Sequence, residues 1–474
     1  MTTQPSVPRL LHAGPITVKL EDGELRYLYV GQKEIVRRVY FAVRDGQWNT
    51  AMPKFTSMTV DDQGDHFIVA LSATCKMDKV DYQWQGIITG SADGKITFEA
   101  TGIPNVDFAS NRIGLCVLFG APSLKGQAFE TLDENKKSLK KAEFPQLVLD
   151  HLVAERFQTL HYTTADGMAV SCTVSGATFD MEDQRNWGDS SFKAYAPLRY
   201  KYPNVKKGDK QRQTITISVA NAPAVPKVEA GPISLKLTDT VIGKVPKFVA
   251  STQFRNAVAF QDISFNRQRF KGAKVVIWLY TPTVHLPDND VIMENVPTVC
   301  DQAKTVKDFA PEASLRVGAA LRAPKAGTGQ DARAPAPFAA AWATALLKYL
   351  SCGNVEETAY DLGPGYVTQV VDAMRPLAGK DVVDVQLSQH EALHPTAFAV
   401  RDGDATIVWI ANRKNEAVQV ALDGMSSTSS AKVAHIDAST KVDAAPADQE
   451  AEVKDGRIAI DLPAYGVARL TISK

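Results

Sequence analysis

Along the first 220 residues, apolar and polar positions alternate with a period near two. Ile16-Thr17-Val18-Lys19-Leu20 is representative, and 25–30, 66–71, 95–100, 113–118 and 214–219 either repeat it or run continuously apolar. Side chains two apart share one face of a strand, so this is the pattern of half-buried β-structure. Asp-Gly pairs punctuate it at Asp22-Gly23, Asp45-Gly46, Asp93-Gly94 and Asp166-Gly167. Asp-Gly suits the positive φ angles of tight hairpin turns, so each pair predicts an antiparallel connection. Many short strands with few helix signals predict a large sandwich of two antiparallel sheets over residues 1–222.

The pattern then changes. Two prolines break periodicity in the linker 221–228 (NAPAVPKV), and KVVIWLY at 274–280 is a continuous apolar run, as in a strand buried on both faces. Helices are expected at 298–309, 338–350 and 366–374, and strands at 315–318 and 355–360, with a Pro/Gly/Ala loop at 323–337. This alternation predicts right-handed βαβ units and a parallel sheet. From Pro395 the chain returns to strands at 405–411, 417–422 and 467–472, with a polar loop at 425–431 and a hairpin turn at 454–457. The expected fold is therefore multi-domain and mainly β: an N-terminal antiparallel β-sandwich (1–222), a short or incomplete α/β, barrel-like segment (223–394), and a C-terminal β-sandwich (395–474).

Charge narrows the function. Lys+Arg and Asp+Glu balance at 53 each, so nothing steers the protein as a whole toward nucleic acid or an anionic membrane. The N-terminal segment lacks a charged region followed by an apolar one, and no run approaches the ~18 apolar residues of a membrane span. The five cysteines (Cys75, Cys116, Cys172, Cys300, Cys352) are isolated and odd in number. That argues for reduced thiols and a cytoplasmic setting, against a disulfide framework and against a zinc site.

Three clusters carry candidate chemistry. The densest runs from Asp180 to Lys193 and holds Glu182, Asp183, Arg185, Asn186, Trp187, Asp189 and Lys193. Carboxylates and Asn accept hydroxyl hydrogen bonds, Arg and Lys hold a carboxylate, and Trp stacks on a sugar face. A structural ion network explains the same composition equally well. The second cluster, His285 to Glu294, follows the buried run 274–280 and so lies at a strand's C-terminal end, where α/β sites assemble. His285 there suits acid or base chemistry, with Asp288 and Glu294 as partners, although Asp288 or Asp290 is equally fit to cap the next helix. The third holds Glu356, Glu357 and Asp361; alternation sends the two glutamates to opposite faces, leaving Asp361 at the strand end. P-loop, dinucleotide, H-E-x-x-H and G-x-S-x-G motifs are absent, and His390 and His394 have the spacing of helix-face metal ligands, but Pro395 follows immediately and no third ligand suggests itself.

The run 179–198 (FDMEDQRNWGDSSFKAYAPL) resembles the signature stretch of the D-apionate lactonases, sugar-acid lactone hydrolases. The resemblance extends to Ala13-Gly14-Pro15, to Val43-Arg44-Asp45 before Trp48, and to 111–118 (NRIGLCVL). It continues at Thr283-Val284-His285 with Asp288 and Met293-Glu294, and at Asp331-Ala332-Arg333 with the helix at 338–350. It implies a (β/α)8 barrel between two sandwiches. The interval here is roughly 150 residues, short of the ~250 a barrel needs, so a shortened barrel is expected. Where the family has a Glu before Asn-Arg, this chain has Ser264-Phe265-Asn266-Arg267; where it has a His after the NRIGLCVL run, Phe119 stands; and Asp361 replaces a Glu.

These readings define a sugar-acid lactone hydrolase with His285, Glu294 and Asp361 in catalysis and Glu182, Asp183, Arg185, Asn186, Trp187, Lys193 and Asp288 on the substrate. No cofactor and no metal are expected. The partner is a small-molecule sugar acid or lactone, not nucleic acid or membrane, and a homo-oligomer stays open. A non-catalytic sugar-binding or scaffold protein, and a glycoside hydrolase with paired carboxylates, are the alternatives.

Overall fold

Asp22 and Gly23 both take positive φ, 46° and 70°, and close a two-residue hairpin in which Glu21 pairs with Glu24. In the computed structural model Gly94 and Gly167 likewise take positive φ in hairpin turns, whereas Asp45 and Gly46 do not, and the strand that follows them joins a different sheet. The model describes residues 8–198, 204–224, 231–322, 331–389, 391–426 and 430–473. His390, the end of the 221–228 linker, most of the loop at 323–337 and part of the loop at 425–431 lie outside the described residues.

The chain divides into two compact units. The first comprises residues 1–183 and 191–227 and holds an eight-stranded and a nine-stranded antiparallel sheet. Their inward side chains merge in one apolar core, with Phe41 stacked 4.5 Å from Trp84 and Phe119, Phe144, Phe179 and Phe192 fully buried. Burying aromatic and β-branched residues of both sheets is what holds such a sandwich together.

The second unit comprises 184–190 and 228–474. Its parallel sheet has five strands: Lys247–Phe248, Val258–Ala259, Val275–Tyr280, Ser314–Ala319 and Glu357–Tyr360. In space Val258–Ala259 comes first, Val275–Tyr280, Ser314–Ala319 and Glu357–Tyr360 follow in chain order, and Lys247–Phe248 pairs beyond Glu357–Tyr360. Among the described residues Lys247–Phe248 and Val258–Ala259 are the two edges of this five-stranded parallel sheet.

The remaining nine-stranded sheet is built mostly from the C-terminal strands. It also takes in Ile233–Lys244 and Asp381–Leu387, which flank the α/β segment: Ile233 to Lys236 pair in parallel with Val420 to Asp423. The helix Pro337–Cys352 packs on this sheet and against the helices Thr298–Phe309 and Tyr366–Met374, while its Trp342 stacks on Tyr280 of the parallel sheet. Its apolar character all round follows from this double burial. No described helix is long and apolar enough to cross a membrane.

Candidate functional site

The parallel sheet brings its strand ends to one edge, and the segments leaving them are stitched together. Thr281 and Thr283, just past Val275–Tyr280, donate their hydroxyls to the carbonyls of Ala320 and Arg322, at 3.1 and 3.0 Å, just past the neighbouring strand Ser314–Ala319. His285 is held at this edge. Asp288 then caps the helix Asn289–Glu294 by accepting from the Val291 backbone N–H at 2.9 Å. This satisfies one orphan donor of the first turn.

The short excursion Gln184–Ser190 reaches the same edge. Its flanking strands Phe179–Asp183 and Ser191–Tyr195 lie in the first unit, while the excursion groups with the second. Gly188 sits at φ 91°, and a Cβ there would lie 2.7 Å from the Thr281 carbonyl oxygen, so only glycine permits the approach. The next residue is Asp189, whose Oδ2 pairs with Nδ1 of His285. Its Oδ1 accepts from the Asn295 side-chain amide N–H at 2.9 Å, and the Asn295 side-chain Oδ1 accepts from the Ser190 backbone N–H at 2.9 Å. Tyr280 donates to the Asn295 backbone carbonyl at 2.7 Å. Burial, and then the Asp189 charge, raise the Tyr280 phenol's pKa well above its ordinary value, keeping it a neutral donor.

A carboxylate on Nδ1 fixes that nitrogen as the protonated one and makes Nε2 the basic one. Around the pair, the Trp187 ring lies 6.0 Å from the His285 ring and 5.8 Å from Phe265, which is 47% exposed. The edge thus places an imidazole nitrogen beside an apolar aromatic wall.

Of the residues singled out in the sequence, the structure brings Trp187 and His285 together. Arg185 is fully buried and donates to Asp301 at 3.0 Å, while its backbone carbonyl accepts from Gln302, itself bonded to Trp278. That geometry makes Arg185 a strut that pins the excursion. Asn186 is buried in the same turn. Asp288 serves as the helix cap, Glu294 is buried at the end of that helix, and Asp361 is exposed past Glu357–Tyr360. Glu182, Asp183 and Lys193 belong to the first unit: Asp183 accepts from the Leu149 N–H at 3.0 Å, and Glu182 pairs in register with Lys193 and accepts from the Tyr195 hydroxyl. Asp189, given no role of its own within the 180–193 cluster, and Asn295, not singled out at all, complete the site. Asp189 occupies the W-x-D position of the signature run, and Asn295 directly follows Met293-Glu294. Among the described residues no three His, Cys, Asp or Glu side chains are grouped to hold a metal.

The chain is thus mainly β, with an α/β segment between two β-rich stretches of the sequence. The N-terminal domain of D-apionate lactonase matches residues 1–222, and its C-terminal immunoglobulin-like domain matches residues 394–470. The chain belongs to the D-apionate lactonase family. It is 29% identical over 245 residues to the D-apionate lactonase of Brucella anthropi, a match spanning 50% of this chain and 40% of that relative. The chain thus covers less than half of the relative's length. Among solved structures, a bifunctional glucanase-xylanase from a metagenome library aligns at TM-score 0.33 and 12% identity, over 42% of this chain and 43% of that one. A GH30 endoxylanase from Clostridium papyrosolvens aligns at 0.29 and 10%, over 52% and 100%. Likeness at those scores supports no inference about this chain.

Proposed function

We propose that this chain is a carbohydrate-active hydrolase that opens a sugar-acid lactone with water, His285 acting as general base. The observation that carries this reading is the Asp189–His285 pair at the C-terminal edge of the parallel sheet. His285 Nε2 takes a proton from water as the oxygen attacks the lactone carbonyl carbon. The resulting tetrahedral oxyanion collapses, the ring C–O bond breaks, and the imidazolium returns the proton to the departing alkoxide. One lactone and one water give one hydroxy acid. Asp189 orients the ring and stabilises the imidazolium. Trp187 and Phe265 supply a face for the sugar carbons, and Glu294 and Asp361 stay as candidates for assisting the second proton transfer. Membership in a family named for a lactonase favours lactones over other esters.

The test is hydrolysis in ¹⁸O-labelled water across a panel of aldonolactones, followed by NMR and mass spectrometry. Turnover with one ¹⁸O in the product carboxylate is expected. The competing reading, a non-catalytic sugar-binding protein, is favoured by the five-stranded parallel sheet. It takes over if no lactone in the panel and no aryl glycoside is turned over above the buffer rate.

A further inference from the structure

The outward face of the eight-stranded sheet in the first unit is not an ordinary solvated surface. Register aligns its side chains in rows: Glu182, Lys193 and Arg38 share one, Tyr195, Cys116 and Tyr40 the next, and Arg112 and Arg44 stand directly opposite each other. Like charges directly opposite repel. Arg112 is 3% exposed, and its Nε and Nη1 have no hydrogen-bond partner; Arg44 Nε is likewise buried without one. Arg38 is answered by Glu24 at 2.7 Å, and Glu182 faces Lys193. Arg44 and Arg112 form no ion pair among the described residues. Burial, and then the Arg112 charge, push the Lys193 ammonium well below its ordinary pKa, with Glu182 pulling the other way.

An aromatic platform stands beside them. The Arg112 guanidinium carbon is 3.3 Å from the Tyr195 ring centroid and 5.5 Å from that of Trp48. Trp48 is 40% exposed and held at φ 65°, where a bulky residue is a strained outlier. Asp45 keeps it there: its side chain accepts from the Gln47 and Asn49 N–H groups and from the Asn49 amide. Asn111, the residue before Arg112, donates to the Gly46 carbonyl at 3.0 Å and ties this loop to the sheet.

We propose that Arg112, Arg44 and Trp48 form a binding site for the open-chain sugar acid, with the arginines holding the carboxylate and the indole covering the carbon chain. The carboxylate answers the opposed guanidiniums, and Trp48 lies at the exposed end of the cluster, where a polyol chain enters. This site does not depend on His285. The test uses the full chain and isothermal titration with D-gluconate and D-ribonate, with D-glucose as the uncharged control. Both aldonates are expected to bind and glucose to bind at least 10-fold more weakly. Arg112→Gln should weaken aldonate binding about 10- to 100-fold, the scale of charged hydrogen bonds. Because Arg112 is buried and its variant can fail to fold, Arg44→Gln and Trp48→Ala provide the second reading, each weakening binding severalfold or more. Trp48→Ala should also abolish the change in indole fluorescence on binding. His285→Ala should bind aldonates as the wild type does, which separates this site from the hydrolytic one. Absence of aldonate binding, equal affinity in Arg44→Gln and Trp48→Ala, or loss of binding in His285→Ala overturns the proposal.

Discussion

Asp189 and His285 lie 96 residues apart and meet through one carboxylate oxygen and Nδ1. The other carboxylate oxygen is held by Asn295 at 2.9 Å, so the carboxylate cannot rotate away without losing a buried hydrogen bond. The imidazole is thereby set in one tautomer and one plane. Asp189→Asn keeps the shape but replaces the charged acceptor, and an amide donor facing Nδ1 favours the wrong tautomer. The expected result is a fall in kcat of about 10²-fold or more with KM little changed, read by steady-state lactone hydrolysis. Unchanged kcat would mean that the pair is structural.

Arg185 is expected to report on stability, not on binding. Its guanidinium is fully buried against Asp301, and Arg185→Ala removes the cation from that buried ion pair. Losing one member of a buried pair costs about 3–5 kcal/mol. A urea unfolding midpoint lowered to match would confirm the strut, and a loss under about 1 kcal/mol would refute it.

The strands were largely legible in the sequence because a half-buried strand writes its period into every second residue. What was not legible is pairing between distant segments. Ile233 to Lys236 carry nothing local that announces Val420 to Asp423 as their partners, so the C-terminal sheet extends beyond the boundary near Pro395. In the site, His285 was legible because a continuous apolar run ends just before it. Asp189 was visible only as one of several carboxylates. Which of Asp180, Asp183 and Asp189 leaves the sheet depends on the turn at Gly188 against Thr281, a tertiary approach. Arg185 makes the same point, since a guanidinium suits a ligand carboxylate and a buried aspartate equally well until the fold places Asp301 beside it.

Lys193 gives a pH test. Its folded pKa is depressed below the ordinary 10.5 by burial first and Arg112 second. Between the folded and unfolded values the unfolded chain binds the proton more readily, so stability drops as pH falls below 10.5. Above that pH both states are neutral and the penalty vanishes. Lys193→Met should therefore be more favourable to stability at pH 7, relative to the wild type, than it is near pH 10.5. Urea midpoints of both proteins at several pH values measure it; a difference that does not depend on pH would point to packing instead.

Cys352 is the thiol expected to react first. A hydrogen bond with Cys300, and then the nearby Lys304 charge, lower its pKa to about 6 against the cost of burial, while burial raises Cys75 to about 11 and Cys172 to about 12. At pH 7 iodoacetamide should label Cys352 ahead of the other four cysteines, because the thiolate is the nucleophile. Lys304→Ala should slow that labelling. Peptide mass spectrometry over a time course reads both, and equal labelling of Cys75 or Cys172 would contradict the assignment.

The hydrolytic assignment rests on His285, and one comparison tests it most directly: steady-state hydrolysis of the best aldonolactone by wild type and by His285→Ala, with folding checked by circular dichroism. The account predicts that kcat falls about 10²-fold or more while KM stays within about threefold, because the base acts in the transition state and contributes little to ground-state binding. A folded His285→Ala variant that turns over lactone at the wild-type rate would contradict it.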